Sequence, residues 1–162
     1  MTVTSSDIHG TKYQVALDQL EWRPAAYAIV IQNDKILLTR QHGVFHLPGG
    51  GVEFGEMPDE AVVREAREET GAVIANPKLV GCISGFFTWY DGKKDTHVQS
   101  ILLYYHCDFV GGELSTDGFM DDEKEIGEMP EWVALKDLDT ITAGSTIDWR
   151  RVVKDLVKQF NK

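Results

Sequence analysis

The chain has 162 residues, enough for one domain with its own core and too few for two of ordinary size. Hydrophobic residues make up 43% and charged residues 26%, an ordinary globular balance. With 16 basic against 26 acidic residues the formal charge is −10, which argues against a nucleic-acid backbone as the main partner.

Residues 1 to about 22 are polar and weakly patterned, so a flexible start followed by an edge strand near Tyr13 to Leu17 is expected. The opening MTVTSSDIHG has no basic segment leading into an apolar one, so no secretory signal is expected. Ala25 to Ile31 is rich in strand formers. Asn33-Asp34 marks a turn, and Lys35 to Thr39 reads as the second arm of a hairpin. His46-Leu47 then runs into Pro48-Gly49-Gly50-Gly51, which reads as a strong break. Pro58 suits the first turn of a helix, where its missing N–H costs nothing, and Gly71 is the expected stop. Within that helix Val62, Val63, Ala66 and Thr70 form the stripe facing the core.

Lys78 to Tyr90 and Val98 to Val110 read as long strands, the second apolar enough to lie centrally in a sheet. Gly111-Gly112 ends it. Residues 117 to 128 are an acidic loop, and Glu131 to Ala134 a short strand. From Asp148 to Phe160, Trp149, Val152, Val153, Leu156 and Phe160 recur at helical spacing as a core stripe. Cys82 and Cys107 sit in apolar, strand-like stretches and read as buried thiols, not a disulfide framework. No apolar run approaches the roughly 18 residues of a membrane span. A soluble, reducing, cytoplasmic setting with no membrane partner is expected, and mixed strands and helices around one sheet make the class α/β or α+β.

The most informative stretch is GGVEFGEMPDEAVVREAREETGA, residues 50 to 72. Helical offsets of three and four bring Glu65, Glu68 and Glu69 onto one face. Three mutually repelling carboxylates on about one turn are poor design for stability, but they suit a hard divalent cation. Bound cations would also let an acidic chain accept a phosphate ester or anhydride, so the acidic helix and the need for metal support each other.

Gly50, Glu56, Arg64, Glu65, Ala66, Glu68, Glu69, Gly71 and Ala72 fill a known signature in register. It reads Gly, five residues, Glu, seven residues, Arg-Glu-aliphatic-any-Glu-Glu-any-Gly-aliphatic. On these residues the chain resembles the Nudix hydrolases, with alanine at both aliphatic positions as a mild departure. The resemblance implies an α/β/α sandwich with a mixed sheet between helices, Mg²⁺ or Mn²⁺, and hydrolysis of a nucleoside diphosphate linked to another group. It assigns metal ligation or the base to Glu65, Glu68 and Glu69, with the Gly49 carbonyl also facing a metal. Arg64 would orient a glutamate, and Glu56 would brace the junction of loop and helix.

A further acidic ligand would come from the later loop, where Asp121, Asp122, Glu123, Glu125 and Glu128 all qualify and Glu125 is chosen. Cations would offset the charge of the pyrophosphate and lower the pKa of an attacking water, whose proton would pass to Glu68 or Glu69. On the substrate side, Glu53 would contact metal or substrate. Arg40 fits a substrate phosphate or base as well as a plain surface cation. Among Phe86, Phe87, Trp89 and Tyr90, alternate members would stack a nucleobase or pack the core. His46 reads as a loop stabiliser, and Trp132 as core.

Family members acting on ADP-ribose often carry a proline about 16 residues past the signature. Here that position is Thr88. Members acting on diadenosine polyphosphates often carry a tyrosine at about 17 or 18, where Tyr90 falls. The layout also resembles MutT-type enzymes. A nucleoside triphosphate, normal or oxidised, is therefore the favoured substrate, with ADP-ribose, nucleotide sugars, diadenosine polyphosphates and a non-catalytic nucleotide sensor as alternatives. The expected partner is a small nucleotide, not a nucleic-acid polymer, and the resemblance allows a homodimer.

Overall fold

The computed structural model describes residues 1–7, 10–41, 43–90, 94–119, 127–144 and 147–160. The chain opens with an antiparallel hairpin of β1 (Thr2–Ser6) and β2 (Lys12–Ala16), so strand structure begins well before Tyr13. Next comes β3 (Leu20–Gln32). Asn33 and Asp34 both take positive φ, 51° and 57°, the twist a two-residue hairpin turn requires. That turn leads into β4 (Lys35–Gln41). Two short strands follow, β5 (Val44–His46) and β6 (Gly49–Gly51).

The helix α1 (Pro58–Thr70) has its expected bounds, with Gly71 closing it at φ 72°. Glu60 reaches back to accept the Met57 N–H at 2.9 Å, which satisfies one of the free donors of the first turn. The remaining elements are β7 (Val73–Tyr90), β8 (Asp95–Gly111), β9 (Gly127–Ala134) and α2 (Arg150–Phe160).

The main path of the sheet is β2-β1-β7-β8-β3-β4-β5, with β6 also on β3 and β9 also on β4. The pairs β3/β8 and β1/β7 are parallel and the others antiparallel, so the sheet is mixed and β8 is central as expected. Side chains alternate across it. Ala26, Ala28 and Val30 of β3 face α1 and pack with Ala61, Val62 and Ala66. Tyr27, Ile29 and Ile31 face the other way and pack with Trp149, Val153 and Leu156 at α2. The helices therefore cover opposite faces, an α/β/α sandwich with two cores.

Three further expectations change. The triglycine is a strand, not a break: β6 pairs Gly49, Gly50 and Gly51 with Tyr27, Ala26 and Ala25. Cys107 is buried, and burial pushes its thiol up to about 12, but Cys82 is exposed. Its neighbour Ile83 packs toward α2, so Cys82 points to the opposite face. Phe160 is 56% exposed at the end of α2, where its ring meets His106 at a centroid distance of 5.1 Å.

Candidate active site

The site forms where β6 runs past α1. A strand can approach a helix this closely only without side chains. A Cβ on Gly50 would lie 2.6 Å from the Glu65 carboxylate, and one on Gly49 would lie 2.6 Å from the Tyr27 Cα. Gly49 also has φ 147°, a region that side chains disfavour. Its N–H donates to Glu69 Oε2 at 2.9 Å, so the strand backbone holds a carboxylate that is only 8% exposed.

Arg64 organises the rest. Its Nε and Nη2 donate to the two oxygens of Glu56 at 2.8 and 2.9 Å, a bidentate fork. Nη1 donates to Glu65 at 3.0 Å and to Glu68 at 3.2 Å, and Nη2 also reaches the Gly51 carbonyl at 3.2 Å. One guanidinium thus ties loop, strand and two carboxylates together. Hydrogen bonding to Arg64 holds the Glu56 carboxyl below its usual range, and the Glu53 N–H, at 3.1 Å, helps. In return, Glu56 and Glu65 raise the pKa of Arg64.

These oxygens suit a hard divalent cation. Among the described residues they do not yet surround one point as a metal cage. The reason is visible: Glu65 and Glu68 lean on Arg64, while Glu69 is held by Gly49. The bare Cα of Gly50 lets the Glu65 carboxylate lie against the strand, and the Glu68 side chain is 39% exposed.

The other expected site residues lie at different distances from this centre. Glu125 falls outside the described residues, as do Asp121, Asp122 and Glu123. Glu128 is described and engaged: it accepts the Gly43 N–H at 2.9 Å and pairs with Arg40 at 3.5 Å. Arg40 also approaches Glu131 at 3.9 Å and lies over the Phe45 ring. It nevertheless borders, with Thr39, Gln41, Phe119 and Glu69, a shallow hollow beside the carboxylates. Glu53 is exposed in the loop before α1.

On the α2 face a cleft of 240 Å³ opens among Tyr27, Phe87, Tyr104, Trp149 and His46. Gln41 borders both this cleft and the hollow at Glu69, so the two adjoin. Phe87 and Trp89 share one face of β7, their rings 5.0 Å apart, whereas Tyr90 points the other way and is 67% exposed. Trp132 meets Phe109 edge to face and is core, as read. His46 does more than brace a loop. It lines the cleft, packs where Gly144 leaves room for its ring, and buries Nε2 with no hydrogen-bond partner among the described residues, and burial lowers its pKa.

The sequence did not single out Arg23 or Tyr27, and it placed Trp149 in the core, where it also lines the cleft. Arg23 lies 5.6 Å over the Trp89 ring, within 3.5 Å of where a Gly51 Cβ would be, and beside the Tyr27 hydroxyl. Among the described residues no carboxylate lies within ion-pair distance of it. Burial raises the Tyr27 pKa, and the nearby Arg23 offsets part of that rise. The available signal was the shared strand parity of Arg23 and Tyr27 beside the triglycine.

Residues 21–154 match the profile of the NUDIX domain. The chain belongs to the Nudix hydrolase family. It is 36% identical over 142 residues to an ADP-ribose pyrophosphatase of Methanocaldococcus jannaschii, covering 85% of this chain and 74% of that protein. It is 31% identical to an NAD-capped RNA hydrolase, NudC, of Pseudomonas aeruginosa over 76% of this chain, a match spanning only 40% of that protein. Among solved structures, a mutator MutT protein from Bacillus halodurans superposes with TM-score 0.58 at 27% identity, covering 75% of this chain and 74% of that one. A NUDIX hydrolase from Nitrosomonas europaea gives 0.64 at 19% identity over 86% and 90%, a likeness of fold. Nudix hydrolases in general use divalent cations. No helix among the described residues is long and apolar enough to cross a membrane.

Proposed function

We propose that this Nudix protein hydrolyses a phosphoanhydride in a nucleoside diphosphate derivative, with a nucleoside triphosphate as its first substrate. The observation that carries the reading is the Arg64 network, which holds the family's carboxylates beside the triglycine strand. Glu65 and Glu69 would hold Mg²⁺ or Mn²⁺, with Glu125 and the Gly49 carbonyl as further donors. When bound, the cation offsets phosphate charge and acidifies the attacking water. Glu68, the most exposed of the three carboxylates, would take that water's proton. Water then adds to phosphorus as the bond to the leaving phosphate breaks. Arg64 and Glu56 keep the carboxylates in place.

Arg23 and the aromatic pair Phe87 and Trp89 support a substrate with phosphates at one end and a flat base at the other. A cationic side chain with no carboxylate within ion-pair distance among the described residues favours an anionic group. Arg40 is a weaker phosphate contact, since Glu128 and Glu131 already hold it. Exposed Glu53 and Tyr90 would meet only the outer part of a substrate.

The likeness to the MutT structure favours a triphosphate. The relative from M. jannaschii supports a second reading, ADP-ribose. Likeness to part of NudC is a reason to add a capped RNA end to the trial. A nucleotide panel with Mg²⁺, Mn²⁺ and EDTA arms, products separated by chromatography, tests both. Cleavage of triphosphates faster than ADP-ribose is the expected result. Faster cleavage of ADP-ribose selects the second reading, and absence of cleavage throughout the panel rejects these substrates.

A further inference from the structure

The cleft on the α2 face contains two polar atoms that the described residues leave unused. Trp149 is 4% exposed, yet its indole Nε1–H has no partner, and neither has the buried Nε2 of His46. Both side chains line the cleft. Two other polar groups of the lining, Ser100 and Asp7, are engaged. The Ser100 hydroxyl donates to the Arg23 carbonyl at 2.7 Å, and Asp7 accepts the Thr11 N–H at 2.8 Å and the Tyr13 hydroxyl at 3.3 Å. Buried donors and acceptors are ordinarily satisfied, so two unmet ones in a single cleft wall call for a ligand that meets them.

The surroundings limit what that ligand is. Tyr27 and Tyr104 stack with centroids 5.9 Å apart, and Phe87 adds a third ring. Aromatic walls suit a flat, uncharged heteroaromatic group. Asp7 puts a carboxylate in the lining, which disfavours a phosphate there. Phosphates are better received toward Arg23, on the side of the triglycine strand. An indole N–H can only donate, so its partner must be an acceptor. A neutral imidazole nitrogen can donate or accept, according to tautomer.

We propose that Trp149 and His46 read the edge of the substrate base in this cleft, Trp149 donating to a ring-nitrogen or carbonyl acceptor and His46 pairing with a neighbouring edge atom. The assignment rests on the nucleotide reading above. It makes the two side chains determinants of specificity, with no part in the hydrolytic step. The wall they share is fixed by backbone pairing: Phe45 accepts the Gly144 N–H at 2.9 Å and donates to the Thr142 carbonyl at 2.8 Å. That pairing fixes the strand beside His46, while Trp149 is held by packing with Val153 and Leu156.

The test is equilibrium binding of AMP, GMP, UMP, CMP and ribose 5-phosphate to the full chain, followed by calorimetry, for the natural protein and for Trp149→Phe and His46→Gln. At least one nucleotide is expected to bind tenfold or more tighter than ribose 5-phosphate. Trp149→Phe keeps a ring and removes the donor. It is expected to weaken the best nucleotide about tenfold and level the ranking of bases, leaving ribose 5-phosphate unchanged. His46→Gln, which keeps polar atoms in a new arrangement, is expected to reorder the bases. It carries the test alone if Trp149→Phe melts early. An unchanged base ranking in both variants, or equal binding of ribose 5-phosphate and nucleotides, overturns the proposal. Binding needs no turnover, so its failure beside a positive product assay rejects only the base-reading pair.

Discussion

The two faces of the sheet solve opposite problems. On the α1 face, charge is dense and internally satisfied. Arg64 alone serves Glu56, Glu65, Glu68 and the Gly51 carbonyl, and the Gly49 N–H serves Glu69. On the α2 face the cleft carries several aromatic rings, and among the described residues it leaves the Trp149 Nε1–H and the His46 Nε2 unmet. One face is organised before any ligand arrives, while the other is completed by a ligand. This is the division expected of an enzyme that positions its chemistry rigidly and recognises a variable group beside it.

The comparison is broken most sharply by Glu68→Gln. If Glu68 takes the water's proton, turnover falls by about 10²–10⁴ while the melting temperature holds, because this side chain is 39% exposed. Initial rates with saturating Mg²⁺, set beside a thermal melt, give both numbers. An equal loss of fold would place the effect in the α1 network instead.

Arg64→Ala should damage both. It strips the compensating charge from carboxylates packed against β6, so a stability loss of about 2–3 kcal/mol is expected, less than for a wholly buried pair because Arg64 is 26% exposed. Arg64→Lys should recover part of the stability but little of the rate, since an ammonium cannot reproduce the fork to Glu56. Urea unfolding of the two variants separates charge from geometry.

Gly50→Ala is smaller and more selective. The new methyl meets the end of the Glu65 side chain, which can turn away, so the fold should survive. A carboxylate displaced by about 1 Å should still lower turnover by up to about 10²-fold. Unchanged activity would mean that Glu65 does not need its place against the strand.

Much of the α1 face could be read from the chain because its causes are local. Pro58, Gly71 and the offsets among Glu65, Glu68 and Glu69 are all fixed within one helix. The triglycine was misread for an equally physical reason: glycine signals a break by local preference, yet here the missing side chains admit a strand against a helix. Arg23 left no local trace, since its role follows from Gly51, Trp89 and Tyr27 meeting across three strands. The cleft was least legible. His46 and Trp149 lie far apart in sequence, and the pairing of β5 with residues 142–144 and the shared core on this face bring them together.

The smallest expected effect concerns pH and again separates the faces. Arg64 holds the Glu56 carboxyl below its ordinary value of 4.5. A depressed folded-state pKa means that the unfolded chain binds the proton first as pH falls. The stabilisation is thus fully present above about 4.5 and is lost as pH drops through the lower folded value. Glu56→Gln should melt a few degrees below the natural protein at pH 7, and the gap should close in acid below the ordinary carboxylate range. His46 also has a lowered pKa, so the natural protein should lose some stability as pH falls below 6.5. That loss should persist in Glu56→Gln, because it originates in the cleft on the other face. Melting curves of the two proteins from pH 7 down to about 3 therefore assign each part of the acid response to its own face of the sheet.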